Sequence, residues 1–332
     1  MQHLFDLEDD LYEVDDELRE EIPFLEENKI KAVIGLQFQS EKIALVGVGA
    51  RANEEEYSES DYNFLRSLGN LAVLSIQKTY LLEERIEKER LEEELNIAKS
   101  IQKGLLPDPI PACEKLDISA DNISSYQVGG DYFDILETPA EHLLFAIGDV
   151  TGKGIPAALL MANLQAMLHV LLPVDISLSE ASGQVNDIIY QNTPSDKFIT
   201  FFWGIFNPEN SEFRFVNAGH NNPLLFRAGQ DEPEELTDGG LILGAMSTMA
   251  PYDEARVTLQ PDDVLVLYTD GVTESMNVEE TEEFGEERLI NCIKENRERS
   301  ADEIKNAITD AVNDFSKDIQ YDDITLIVIK VN

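Results

Sequence analysis

Residues 143–154 read LLFAIGDVTGKG. The apolar run from Leu143 to Ile147 has the length and composition of a buried strand. It ends at Gly148 and Asp149, and the glycines at 152 and 154 let the backbone turn tightly. An apolar, helix-spaced segment then begins at Ile155 and continues to Leu172. A strand end is where a rigid scaffold meets solvent, so Asp149 is held fixed and still within reach of a ligand.

Outward from this stretch, the apolar runs 198–206, 213–216, 224–226, 264–268 and 324–331 also read as strands. Residues 178–192, 286–296 and 301–315 are helix-spaced. Strands that mostly follow one another, with helices set in pairs, predict an α+β fold: a central β-sandwich flanked by helices. Its domain is expected over 112–332, because Pro107, Pro109 and Pro111 stop any preceding helix.

Upstream, residues 81–106 carry interleaved charges (EERIEKERLEEEL) and no glycine or proline before Gly104, which predicts a connector helix. Glu84/Lys88, Arg85/Glu89 and Arg90/Glu94 are opposite-charge pairs one helical turn apart. Leu91, Leu95, Ala98 and Leu105 follow a partial 4-3 repeat. That fits a short coiled coil joining a homodimer, and fits a single solvated helix nearly as well. Residues 31–80 read as a smaller domain. Two strands, KAVIGLQF and KIALVGVG, flank a Gln39-Ser40-Glu41 turn, and apolar residues from Phe64 to Leu74 recur at helical spacing behind capping candidates in 57–61. Residues 1–30 form an acidic N-terminal segment.

The chain has 332 residues, with 66 acidic side chains against 25 basic ones and a formal charge of −41. Such a balance repels phosphate backbones and anionic lipid, so nucleic acid and membrane surfaces are excluded as expected partners. Cys113 and Cys292 are the two cysteines, far apart and without a CxxC pattern, which argues against a disulfide framework or thiolate zinc site. No run approaches the ~18 apolar residues of a membrane span. The start of the chain also lacks a signal peptide's basic and apolar regions. A cytoplasmic protein is expected.

Four aspartates share one setting, at or just beyond the end of an apolar strand. They are Asp131 in VGGDYFD, Asp149, Asp270 in LYTDG and Asp322 in YDDIT. Carboxylates gathered in this way repel one another unless a hard cation neutralises them, and oxygen ligands without histidine or cysteine favour magnesium or manganese. Any single aspartate beside glycine is usually an ordinary turn residue, and Asp134 and Asp323 are read that way as readily as any other. Lys153 could steer an anion but is more commonly a surface lysine. His220, in NAGHNNP, is more often structural.

Read in order, AKSIQKGLLPDPIP, VGGDYFDI, FAIGDVTGKGIPAALLMA, FVNAGHNNPLLF, VLYTDGVTES and YDDITLIVIKV resemble the successive motifs of one family. It is the bacterial sporulation and stress-response (SpoIIE/RsbU-like) branch of the protein phosphatase 2C (PPM) family. The resemblance implies a metal-dependent serine/threonine phosphatase using two divalent cations, Mn2+ or Mg2+. It places Asp131 and Asp149 where the bridging and first-metal carboxylates lie, with the Val150 carbonyl as a further ligand. Asp270 falls in the third metal-binding motif and Asp322 at the first acidic position of the last. The implied substrate is a phosphorylated anti-sigma-factor antagonist of the STAS type. Val150-Thr-Gly-Lys-Gly stands where eukaryotic members carry a histidine suspected of protonating the leaving group, so that role is open. GGDYFD superficially matches the GGDEF signature of diguanylate cyclases, but the later NAGH, TDG and DDIT motifs have no place in that fold. Residues 31–80 resemble the C-terminal half of a GAF sensor domain. The rival expectation is a catalytically silent phosphatase-fold module that sequesters a phosphoprotein; a nuclease is disfavoured by the missing basic groove.

Overall fold

A computed structural model of the chain describes residues 11–15, 18, 20, 22–38, 41–52, 55–174, 176–194 and 196–332. The first ten residues of the acidic segment and the Gln39-Ser40 turn lie outside the described residues. Two compact units meet within one helix, between Glu93 and Glu94.

The first unit has an antiparallel sheet of β1 (Leu11–Glu13), β2 (Ile30–Phe38) and β3 (Glu41–Gly49), with a short helix α1 (Pro23–Glu27) before β2. The helix α2 (Glu59–Lys103) begins here. Ser58 and Asp61 hold its start reciprocally: the Asp61 carboxylate accepts from the Ser58 amide at 2.8 Å, and the Ser58 hydroxyl accepts from the Asp61 amide at 3.3 Å. Tyr62 and Val73 pack on Ala32, Ile34, Leu36 and Val48. The helical stretch from Phe64 runs on into the connector, as expected, as one continuous helix of 45 residues, because nothing between Leu74 and Leu81 breaks the hydrogen-bond ladder.

The second unit is a sandwich. Its strands are β4 (Leu116–Ile123), β5 (Tyr132–Glu137), β6 (Leu143–Val150), β7 (Ile199–Asn207), β8 (Glu212–Ala218), β9 (Leu224–Phe226), β10 (Glu234–Glu235), β11 (Gly239–Gly240), β12 (Ala255–Thr258), β13 (Val264–Tyr268) and β14 (Ile324–Val331). One sheet runs β10-β9-β13-β14-β4; the other runs β11-β8-β7-β6-β5, with β12 also on β8. Phe145, Phe202, Phe206 and Phe213 of one sheet meet Leu265, Leu267, Ile327 and Ile329 of the other, which makes the inner layer.

Helices α3 (Ile155–Leu171) and α4 (Leu178–Asn192) cover one outer face through Met161, Leu164, Val185 and Ile189. A four-residue helix, α5 (Asp270–Thr273), follows β13. Helices α6 (Gly285–Asn296) and α7 (Ala301–Ser316) cover the other face through Leu289, Ile293, Ile304 and Ile308. The predicted helix–sheet–sheet–helix layering is observed. Strands β4, β5, β10, β11 and β12 add to the expected set. No described helix is long and apolar enough to cross a membrane.

Candidate functional site

Antiparallel pairing carries the four aspartates to one rim, though not all in the expected way. Asp149 lies near the end of β6 and Asp270 follows β13, but Asp131 precedes β5 and Asp322 precedes β14. The expectation that each sits at the end of a strand is therefore corrected for Asp131 and Asp322. Where neighbouring strands run oppositely, the start of one lies beside the end of the other. Tyr132 pairs with Gly148, and Tyr268 pairs with Leu326.

Two glycines permit the close approach. A Cβ on Gly130 would stand 2.8 Å from the Val150 carbonyl oxygen, so the loop before Asp131 lies directly against that carbonyl. A Cβ on Gly271 would meet the Asp323 carbonyl oxygen at 1.9 Å, so only glycine lets the turn after Asp270 touch the segment holding Asp322.

Asp131 is buried and held by hydroxyls. Thr269 Oγ1 donates to its Oδ2 at 2.7 Å and Thr325 Oγ1 donates to the same oxygen at 2.6 Å. Burial and the charge of Asp149 nonetheless hold the Asp131 carboxyl well above the usual carboxylate range. Burial, then Asp270 and Asp322, raise Asp149 to about 7, against a smaller lowering from a hydrogen bond with Asp131. Burial and Asp322 also raise Asp270. Repulsion thus links Asp131 to Asp149, and Asp149 to Asp270 and Asp322, and the cluster is short of positive charge.

Lys153 supplies part of the compensation. Its Nζ lies 3.0 Å from Asp322 Oδ2 and donates to the Tyr321 carbonyl at 2.6 Å. Burial pulls the Lys153 ammonium down, but the hydrogen bond and charge of Asp322 outweigh it and the net shift is upward. Among the described residues, no three acidic, histidine or cysteine side chains enclose an ion as they stand. With Lys153 on Asp322 and two threonines on one oxygen of Asp131, the carboxylates have other partners. In kind, the set fits a hard divalent cation: oxygen donors only, mutually repelled, beside a backbone carbonyl.

The neighbours divide by role. Asp323 is an anchor. Its Oδ1 accepts from the Ser125 amide and hydroxyl at 2.7 and 2.9 Å, and its Oδ2 accepts from the Gly130 amide at 2.9 Å, which fixes the loop that presents Asp131. Asp134 is 1% exposed and accepts from the Tyr132 hydroxyl at 2.7 Å, with His169 Nε2 at 2.8 Å. His220 is buried, with Nδ1 3.0 Å from Thr200 Oγ1 and Nε2 unpartnered; burial lowers its pKa to about 4. A buried, neutral imidazole held on Thr200, the ladder partner of Asp149, suits the structural role. Thr269 and Thr325 were not singled out in the sequence, although both lie inside quoted motifs, TDG and DDIT. Gln102 was also missed: its side chain donates to the Gly129 carbonyl at 2.8 Å and accepts from the Gly129 amide at 3.0 Å, clasping the end of α2 to the Asp131 loop.

The sequence model of the family described as Stage II sporulation protein E (SpoIIE) matches residues 139–332, which includes Asp149, Asp270 and Asp322. The phosphoserine phosphatase RsbU of Bacillus subtilis is 32% identical over 245 residues, covering 73% of this chain and 71% of RsbU. The solved RsbU and RsbW domains of a Mycobacterium tuberculosis protein align at 25% identity with a TM-score of 0.56. That alignment covers 67% of this chain and 62% of the other, so this chain spans less than two thirds of that relative. The PP2C domain of SiaA from Pseudomonas aeruginosa superposes with a TM-score of 0.64 at 19% identity, over 74% of this chain and 99% of the domain, a likeness of fold.

Proposed function

This chain belongs to the SpoIIE family and its second unit has the PP2C fold, and from that premise we propose that it is a metal-dependent protein phosphatase acting on phosphoserine or phosphothreonine in bacterial signalling. The observation that carries this is the gathering of Asp131, Asp149, Asp270 and Asp322 at one rim, where burial and neighbouring carboxylates raise the first three. Those carboxylates and the Val150 carbonyl would hold two divalent cations, Mn2+ or Mg2+, and bound cations would acidify a water and neutralise phosphoryl oxygens. The protein's own part is positional. Thr269, Thr325 and Asp323 fix Asp131 and its loop, and the β6–β7 ladder fixes Asp149. Lys153 competes with a cation for Asp322.

The family's established member RsbU, a phosphoserine phosphatase, supports a phosphoprotein substrate. We assign a phosphorylated anti-sigma-factor antagonist of the STAS type to that role, in the cytoplasm. In this scheme residues 31–80 are a partial GAF-like sensor, α2 is the connector, and the Gln102 clasp passes its position to the Asp131 loop.

Hydrolysis of 4-nitrophenyl phosphate with Mn2+ tests the assignment in the full chain. Turnover should require the cation and fall at least about 100-fold in Asp149→Asn and in Asp270→Asn, since each removes a charge the site is built around. Metal-independent turnover, or none on either aryl phosphate or phosphoprotein, would favour the silent binding module.

A further inference from the structure

A phosphate monoester approaching a rim of four carboxylates on a chain of net charge −41 needs a cation not already committed elsewhere. Two lysines stand beside the turn that leaves Asp149, apart from Lys99 and Lys103, which line the cavity on the Asp131 side. Lys153 is committed to Asp322 and the Tyr321 carbonyl. Lys197 is not: its Nζ makes one long contact, 3.5 Å to the Thr151 carbonyl, and it forms no ion pair with any carboxylate among the described residues.

Its place follows from the ladder. Asp149 pairs with Thr200 and Val150 with Ile199, and the Thr151 amide donates to the Phe198 carbonyl at 3.1 Å. Lys197 is the next residue along, beside the turn that leaves Asp149 and Val150. Its backbone is fixed there, with the Lys197 amide donating to the Pro194 carbonyl at 3.0 Å. Gly152 has φ of +92°, and a Cβ on it would stand 2.8 Å from Lys197 Nζ. The glycine therefore leaves room for the ammonium to lie over the turn.

We propose that Lys197 is the substrate-contacting cation of this site, donating to non-bridging phosphoryl oxygens of the phosphomonoester. The inference rests on the phosphatase assignment and deepens it, because it names a group that binds the substrate's charge apart from the cations the carboxylates would hold.

The test uses the full chain with Mn2+ and compares the parent with Lys197→Met and Lys197→Arg. Loss of a charge-assisted hydrogen bond should raise KM for 4-nitrophenyl phosphate, and the inhibition constant of inorganic phosphate, roughly 10- to 100-fold. The Mn2+ concentration for half-activation and the melting temperature should stay at parent values, and Lys197→Arg should recover most of the loss. Unchanged phosphate inhibition in Lys197→Met would overturn the proposal, as would a defect cured by more Mn2+, which would place Lys197 with the metal. Absence of turnover in the parent would sink the phosphatase assignment instead. Calorimetric titration of inorganic phosphate into the Mn2+-loaded protein then decides Lys197 separately: equal affinity in parent and Lys197→Met refutes it, and affinity lost in Lys197→Met upholds it.

Discussion

Half-buried Asp149, whose carbonyl faces the Thr200 hydroxyl, and buried His220, whose Nδ1 faces the same hydroxyl, bend the stability of the cation-free protein in opposite directions. The Asp149 carboxyl is raised from 3.8 to about 7, so its contribution is intact at low pH and is lost as pH rises through 7. His220 is lowered from 6.5 to about 4, so its contribution is intact above 6.5 and is lost as pH falls toward 4. Between about pH 4 and 6.5 the two slopes offset, and from 6.5 until the carboxyl ionises near 7 its slope is left alone. Urea unfolding in chelator should therefore show Asp149→Asn gaining on the parent as pH rises from 4 to 8, by at most about 4 kcal/mol. His220→Gln should lose the acid-side penalty, at most about 3 kcal/mol. Mn2+ should restore the parent at pH 8 and leave Asp149→Asn unmoved. An Asp149→Asn variant less stable than the parent at pH 8 in chelator would mean that the carboxyl is not under strain.

At the scale of elements, what joins the rim is contact between turns. Gly271 brings the β13 exit against the β14 entry, where an added Cβ would collide with a backbone oxygen that cannot rotate away. Gly271→Ala should cost about 2–3 kcal/mol of stability, read by denaturant unfolding, and remove metal-dependent turnover with it. A variant of parent stability would show that the two strand ends are free to separate. The sandwich, its helix pairs and the four rim aspartates were legible because long apolar runs leave strong signals and the acids lie beside them, three next to a glycine and Asp322 in the YDDIT motif. Strand β5 was less so. Its sequence, YFDILE, carries an acid in mid-strand, and burial of Asp134 becomes intelligible only once the Tyr132 hydroxyl and His169 are seen on it. Of the adjacent pair Asp322 and Asp323, the sequence puts the first at the rim and reads the second as a turn residue, with no sign of the anchoring role of Asp323. Neighbouring residues on an extended segment point to opposite sides, so Asp322 meets Lys153 while Asp323 turns inward to Ser125 and Gly130. Gln102 left no mark either, since a glutamine on a charged helix looks solvated until its partner, 27 residues away, is in place.

Over the whole molecule, the uncovered apolar surface of α2 and the net charge set opposing terms for self-association. Phe64, Leu71, Ile86 and Ile101 are 61%, 61%, 56% and 64% exposed, and Leu68, Leu82, Leu91 and Ile97 are also exposed along the same helix. Burying such side chains against a second copy would return ~25 cal/mol per Å2 of apolar surface. Each chain brings a charge of −41, so two copies repel, and that repulsion is screened over about 10 Å at 0.1 M salt and about 30 Å at 0.01 M. A homodimer joined through α2 should therefore tighten as salt is added, the reverse of an interface held by ion pairs. Light scattering on the full chain should give a dimer whose dissociation constant falls severalfold between 0.02 and 0.3 M salt. Residues 94–332, which retain the Gln102 clasp and the sandwich, should be monomeric under the same conditions. A dimer that persists in residues 94–332 would move the interface to the phosphatase-fold unit, and one that weakens with salt would assign its cohesion to the helix's charged pairs rather than its leucines and isoleucines.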